Sequence, residues 1–288
     1  MDRPSHGRGV VTAIVVLHPG AMGVSVAASF AIAGHDVRWV ADGRSGATAA
    51  RALEAGLAPL PTLAEGCAHA ELIVSVCPPA AAVDVARRVA AEGFAGTYLD
   101  ANAISPATMA DVAAVVAEAG ATPVDGSIIG LPAHDSGTTR LYLSGDGAAV
   151  LAGDLVGGPL DVIAIAGAIG AASALKMAYA GWTKGSSALL LALVAFASEM
   201  GVYEALLDEW GRSMPNMPAQ AEGRAAGVGP KAWRFVGEMQ EIAASLRDAG
   251  VPGDFHDGAA AVYQALAGFK DADPPPDLAA VIDALREA

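Results

Sequence analysis

Two cysteines in 288 residues, Cys67 and Cys77, are too few and too irregularly placed for a disulfide framework or a cysteine metal site. Basic residues are scarce as well: 17 Lys and Arg against 31 Asp and Glu give a net charge of -14. That balance argues against a nucleic acid or an anionic membrane as partner, because both require a broad basic surface. It leaves room for a local basic pocket. Aromatic residues make up only 5% of the chain, whereas 53% is hydrophobic and 34 residues are glycine. The core is therefore expected to be built from small, closely packed side chains. Met1 to Gly9 is polar, lacks the apolar core of a signal peptide, and reads as a flexible tail. The longest apolar region, Val162 to Met200, is interrupted by Lys176 and Lys184. It offers no unbroken run of the roughly 18 apolar residues that span a membrane. These features lead to the expectation of a soluble, cytoplasmic protein in a reducing compartment, with small-molecule partners and no metal.

What the chain does contain begins at Val10 to Leu17, an apolar run of strand length. His18-Pro19-Gly20-Ala21-Met22-Gly23 follows, then an amphipathic stretch, Val24 to Ala33, that stops at Gly34. A buried strand, a glycine turn and a helix N-terminus make a dinucleotide phosphate site: glycine admits the pyrophosphate, and the free helix N–H groups complement its charge. The turn is similar to G-x-G-x-x-G with His18 in place of the first glycine. Asp42, just after a second strand (Val37 to Val40), stands at about the ~20-residue spacing of a ribose contact.

Strands and helices then alternate. Helix is expected at Ala47 to Ala55, strand at Glu71 to Val76, helix at Ala80 to Glu92 and strand at Gly96 to Asp100. Ser105-Pro106 reads as an N-cap with proline in the first turn of a helix running to Glu118. Strands follow at Thr122 to Asp125 and Thr138 to Ser144, a helix near Ala148 and a strand near Val162. This alternation specifies an α/β fold with a parallel, doubly wound Rossmann sheet. From about residue 166 the pattern is helical only: Ala168 to Glu199, Tyr203 to Trp210, Lys231 to Ala249, Asp257 to Ala267 and Asp277 to Glu287. Ser213 to Gly229 is ambiguous, and Asp271 to Pro276 reads as a proline-rich linker. The expected organisation is thus a dinucleotide-binding domain over residues 1–165 and an all-helical domain over 166–288.

Several segments, in order and spacing, resemble the beta-hydroxyacid dehydrogenase and imine reductase superfamily, whose nucleotide-binding domain is of the 6-phosphogluconate dehydrogenase type. They are Gly20 to Gly23, Gly34 to Val37, Gly43-Arg44-Ser45, Cys77-Pro78-Pro79, Asp125 to Gly130, Gly137-Thr138-Thr139 and Gly170 to Lys176. Lys231 to Arg234 and Gly237 to Met239 resemble a bacterial subgroup with a C-terminal domain of unknown function. The resemblance implies a Rossmann domain, a long interdomain helix, a helical domain that dimerises, and hydride transfer with a nicotinamide cofactor in a cleft between the domains. It places the cofactor on Gly20, Ala21, Met22, Gly23, Asp42, Arg44, Ser45, Cys77, Pro78 and Asn102. Asp42 favours NAD through the ribose hydroxyls. Arg44 and Ser45 favour NADP, because guanidinium pairs with phosphate, and NADP is the expected choice.

Lys176 matches the superfamily's general acid/base lysine. Its neighbours Ala174, Leu175, Met177 and Ala178 supply an apolar setting, which disfavours an ammonium and suits it to proton transfer. The alternative is a helix lysine that reaches solvent. Ser127 and Ile129 fall on the substrate loop, where Ile129 replaces the superfamily's serine; Ala180 replaces its asparagine. Imine reductases have a similar Asp-Gly-x-Ile loop, but carry Asp or Tyr at the position of Lys176. Tyr179, Thr183 and Lys184 follow at helical spacing and face either the pocket or a dimer interface. Asn102 contacts the nicotinamide side or caps a turn. His256 is a second proton carrier or a cap, and Trp233 belongs to core or pocket wall. The expected activity is an NAD(P)-dependent oxidoreductase on a small polar carbonyl or alcohol, with an imine reductase or a non-catalytic nucleotide-binding dimer as alternatives.

Overall fold

The computed structural model describes residues 11–288. The tail expected at Met1 to Gly9, and Val10 of the expected first strand, lie outside the described residues. The chain divides into two compact units, one ending at Lys176 and the other running from Met177 to Ala288.

The first unit runs β1 (Ala13–Val16), α1 (Ala21–Ile32), β2 (Asp36–Val40), α2 (Gly46–Glu54), β3 (Ala58–Leu60), α3 (Leu63–His69) and β4 (Leu72–Ser75). It continues with α4 (Ala82–Ala91), β5 (Thr97–Asp100), α5 (Pro106–Glu118), β6 (Thr122–Ile129), β7 (Arg140–Ser144), α6 (Ala148–Asp154) and β8 (Asp161–Ala164). The eight strands form one sheet in the order β3-β2-β1-β4-β5-β6-β7-β8. Alternate residues of β1 feed opposite faces. Ile14 and Val16 join a core with Val26 and Phe30 of α1. Val15 joins one with Val85 of α4 and Met109 and Val112 of α5. A strand buried on both faces must be apolar throughout, which is why β1 reads as an unbroken apolar run.

All neighbouring strands are parallel except β6 and β7, which pair antiparallel. The doubly wound, mainly parallel sheet expected from sequence is present, with one antiparallel pair. Residues 130–139 link β6 to β7 without a helix, and a parallel return needs a longer crossover, usually helical. β6 also extends to Ile129, past the Asp125 expected from sequence. The Ser105 cap is present, its side chain accepting from the Thr108 amide.

In the second unit α7 (Ala171–Glu199) is followed by α8 (Tyr203–Ser213), α9 (Met217–Val228), α10 (Ala232–Asp248), α11 (Asp254–Ala265) and α12 (Leu278–Arg286). The ambiguous stretch 213–229 is thus mostly helix. Its core gathers Met177, Ala180 and Leu191 of α7, Phe235, Met239 and Ile242 of α10, and Tyr263 of α11. By length and mean hydropathy alone α7 qualifies as a membrane span, although Lys176 and Lys184 interrupt its apolar run; 56% of that window is buried within the protein.

The division falls inside α7 rather than near residue 165, for a physical reason. Asp125 of β6, fully buried, accepts from the Ser173 amide at 3.0 Å and the Ser173 hydroxyl at 2.7 Å. The Ser144 hydroxyl donates to Asp125 at 2.9 Å and accepts from the Ala172 amide at 2.9 Å. First-turn amides have no partner within a helix. Here the sheet of the first unit supplies their acceptors, so the first turns of α7 belong to that unit.

Candidate functional site

The turn between β1 and α1 is built by close backbone contact. A Cβ placed on Gly23 would lie 2.2 Å from the His18 carbonyl oxygen, so only glycine fits. A Cβ on Gly20 would meet nothing within 4 Å. Helix α1 starts with no side-chain cap and no acidic residue in its first turn. Gly20, Ala21, Met22 and Gly23 therefore present a tight turn, open space and uncapped amides, which fit a pyrophosphate. The turn lies beside the point where β1 neighbours both β2 and β4. Doubly wound sheets bind ligands at such a reversal of strand order.

A half-open pocket is lined by Leu17 and His18 after β1, Val40 and Asp42 at the end of β2, Arg44, Leu63, and Val85 and Arg88 of α4. The Arg44 Nε donates to the Asp42 carbonyl at 3.2 Å. Burial, with help from Arg44 and Arg88, pushes the His18 imidazole down to about 4, so it is neutral at pH 7. Ser45 is the N-cap of α2 and accepts from the Thr48 amide. Its hydroxyl therefore caps the helix and keeps its proton for donation. Arg88 was not singled out from sequence. The available signal was its place one helical turn after the apolar Val85 in the helix that follows β4.

Past the ends of β4 and β5, Asn102 resolves to the capping alternative. Its Nδ2 donates to Asp100 at 2.7 Å and to Ser75 at 3.2 Å, and its Oδ1 accepts from the Cys77 amide at 2.5 Å. Both amide hydrogens are spent inside the protein. Burial pushes the Asp100 carboxyl up to about 7. It likewise raises the Cys77 thiol to about 11, which leaves it protonated and unreactive at neutral pH. Cys77 is half-buried and Pro78 is exposed.

Lys176 Nζ donates to the Ile128 carbonyl at 2.7 Å. The structure thus brings Lys176 to the end of β6, beside the expected loop residues Ser127 and Ile129. Ser127 is buried and its hydroxyl has no hydrogen-bond partner among the described residues; Ile129 is buried and apolar. Asp125, part of the sequence motif but not expected to act, fixes Ser173, one turn before Lys176 on α7. It is a positioning residue for the lysine.

The remaining expected residues lie in the second unit. Tyr179 is exposed. The Thr183 hydroxyl turns back to the Tyr179 carbonyl at 3.0 Å. Lys184 pairs with Glu238, and its Nζ lies 4.7 Å from the centre of the Phe235 ring. Of the two readings, core or pocket wall, the core one does not hold for Trp233. It is 42% exposed, with Lys270 Nζ 4.4 Å above its ring. An amphipathic helix face put it outward, and the cation covers it. His256 Nε2 lies 3.3 Å from the Gly181 carbonyl, and its buried Nδ1 has no partner among the described residues. No group of three or more His, Cys, Asp or Glu able to hold a metal occurs among the described residues.

Comparison with known proteins adds the following. Residues 197–266 match the profile of a domain of unknown function, DUF1932. A search of curated proteins gives no significant match. Among solved structures, a conserved hypothetical protein from Sinorhizobium meliloti 1021 is 24% identical, with a TM-score of 0.77 over 97% of both chains. The 3-hydroxyisobutyrate dehydrogenase of Mycobacterium tuberculosis, solved with L-serine, is 20% identical, with a TM-score of 0.72 over 96% of this chain and 100% of that one. A reductive aminase from Aspergillus terreus, in complex with NADPH and ethyl levulinate, is 20% identical, with a TM-score of 0.56 over 95% and 99%. The chain therefore joins a DUF1932 segment to the fold shared by hydroxyacid dehydrogenases and reductive aminases.

Proposed function

We propose that the protein is a nicotinamide-dependent oxidoreductase acting on a small polar carbonyl or alcohol, with Lys176 as its general acid or base. The observation that carries this reading is the placement of Lys176 Nζ, 2.7 Å from the Ile128 carbonyl, in the same unit as the Gly20–Gly23 turn. The turn and the pocket of Asp42 and Arg44 fit the cofactor by the contacts described above. When bound, the cofactor supplies the hydride, and the protein positions it. The fold shared with enzymes solved with L-serine or with NADPH supports the class.

In this reading Gly20 to Gly23 hold the pyrophosphate and Asp42 and Arg44 hold the adenosine end, with NADP preferred through Arg44. Lys176 holds or gives up a proton at Nζ beside the substrate oxygen. The Ile128 carbonyl anchors that ammonium, and Asp125 fixes the helical turn that carries it. Ile129 and Ala180, both buried, provide no polar contact where the resembling dehydrogenases have serine and asparagine. This favours a substrate other than a simple hydroxy acid and keeps imine reduction as the second reading. A homodimer belongs to the same proposal. Trp182, Leu189, Leu193 and Phe196 of α7 are all exposed at helical spacing, a stripe of the kind that marks an interface.

The test is turnover with NADPH across aldehydes, keto acids and cyclic imines. Lys176→Met, which keeps the stem and loses the ammonium, should retain cofactor binding and lose about 10²–10⁴-fold in rate. A wild-type rate in that variant would end the lysine's catalytic assignment. Activity confined to cyclic imines would establish the second reading.

A further inference from the structure

We propose that Arg88 joins Arg44 in a two-arginine clamp for a phosphate on the adenosine ribose of the dinucleotide, with His18 lining the same pocket. The proposal rests on the dinucleotide reading above and extends it to a residue from a different element. Arg44 follows β2, whereas Arg88 comes from α4, yet both line one pocket with Asp42 and His18.

Neither guanidinium has a carboxylate partner among the described residues. Arg44 bonds only the Asp42 backbone carbonyl, through Nε. Arg88 makes no hydrogen bond or ion pair there, although its neighbour Arg87 pairs with Asp84 at 2.9 Å. Two guanidinium groups that line one pocket, neither tied to its one carboxylate, Asp42, leave their charge available to a dianion. Guanidinium forks match phosphate oxygens in pairs, so the ligand chemistry is a phosphate monoester rather than a ribose hydroxyl.

The same pocket accounts for His18 in place of a glycine. The close approach of the turn uses the His18 backbone carbonyl, which Gly23 packs against. The side chain is free to line the ribose pocket instead. Its buried Nδ1 has no partner among the described residues. Held neutral by burial and by the two arginines, the imidazole adds a hydrogen-bonding group without a third positive charge.

The experiment is calorimetric titration of the full chain with 2′,5′-ADP and with ADP, followed by NADPH and NADH, for wild type, Arg88→Ala and Arg88→Lys. The wild type should prefer 2′,5′-ADP. Arg88→Ala should lose about tenfold or more for 2′,5′-ADP and NADPH, the scale of a hydrogen bond to a charged group, while ADP and NADH change little. Arg88→Lys should recover part of the loss. Equal losses for 2′,5′-ADP and ADP, or no loss for either, would overturn the clamp. A wild type that binds ADP and 2′,5′-ADP equally would overturn the clamp while the dinucleotide reading stands. A wild type that binds neither would overturn both.

Discussion

Replacing Asp125 should damage the protein far more than its distance from the glycine turn suggests. The carboxylate is fully buried and takes three hydrogen bonds, from the Ser173 amide, the Ser173 hydroxyl and the Ser144 hydroxyl. In Asp125→Ala all three donors lose their acceptor. The two hydroxyls can rotate toward other partners, but the Ser173 amide is fixed by the helix. Leaving a buried donor unpaired costs about 1–3 kcal/mol, and hydrogen bonds to a charged group are worth about 1.5–3 kcal/mol each. Allowing for rotation of the hydroxyls, the expected loss is about 3–5 kcal/mol. Asp125→Asn should cost less, about 1–2 kcal/mol. Its amide nitrogen can face the Ser173 hydroxyl, which can turn to accept, and its oxygen still serves the Ser173 amide and Ser144. Urea unfolding by circular dichroism gives the two losses. Amide hydrogen exchange at Ala172 and Ser173 locates them, since protection there should fall first. A loss below about 1 kcal/mol for Asp125→Ala, or a larger loss for Asn than for Ala, would refute the capping argument.

Three further outcomes are expected. Gly20→Val should fold, since a side chain there meets only open space, but should abolish quenching or enhancement of cofactor fluorescence on titration; unchanged affinity would remove the pyrophosphate from this turn. Burial raises Asp100 from 3.8 to about 7, so the folded protein holds a proton in that window that the unfolded chain has released. Its contribution therefore falls as pH rises from about 4 through 7. His18 has the opposite slope, because its lowered value makes stability fall as pH drops from 6.5 toward about 4. The stability difference between wild type and Asp100→Asn, measured at each pH, isolates the aspartate, and a difference independent of pH would contradict its burial as a titrating group. Phe196→Glu should convert a dimer to a monomer in light scattering at micromolar concentration, because it puts a charge in the exposed apolar stripe of α7; a wild-type monomer would remove the interface.

The parts of the molecule legible in the sequence are those decided by neighbours along the chain. β1 is apolar because both of its faces are covered, and the glycines after it are read directly as a turn. The Ser105 cap and the change from alternating elements to helices alone follow from local chemistry too. β3 and α3 escaped because three residues including Pro59 carry no periodicity, and a seven-residue helix covers barely two turns. Its start was encoded nevertheless, in Thr62 capping the Glu65 amide. Arg88 and Asp125 escaped for a different reason. Their roles depend on approach across 44 and 48 positions of chain, Arg88 to Arg44 and Asp125 to Ser173, and no local pattern announces such meetings. The partner of Lys184 is hidden for the same reason: helical spacing locates a side chain on a face without revealing that Glu238 waits opposite.

The continuity of α7 bears on how this protein can be cut, joined or exchanged with others. A fragment ending near residue 165 would keep Asp125 and Ser144 but lose the amides they serve, leaving a buried carboxylate with one donor where it had three. A fragment carried through the first turns of the helix would keep them. Splicing a foreign helical half onto this sheet is equally constrained. One residue inserted after Ser173 turns every later side chain by about 100° around the helix axis, taking Lys176 away from the Ile128 carbonyl. Only insertions close to a whole number of turns would preserve that register. The seam in this chain is therefore a matter of phase rather than of linker length.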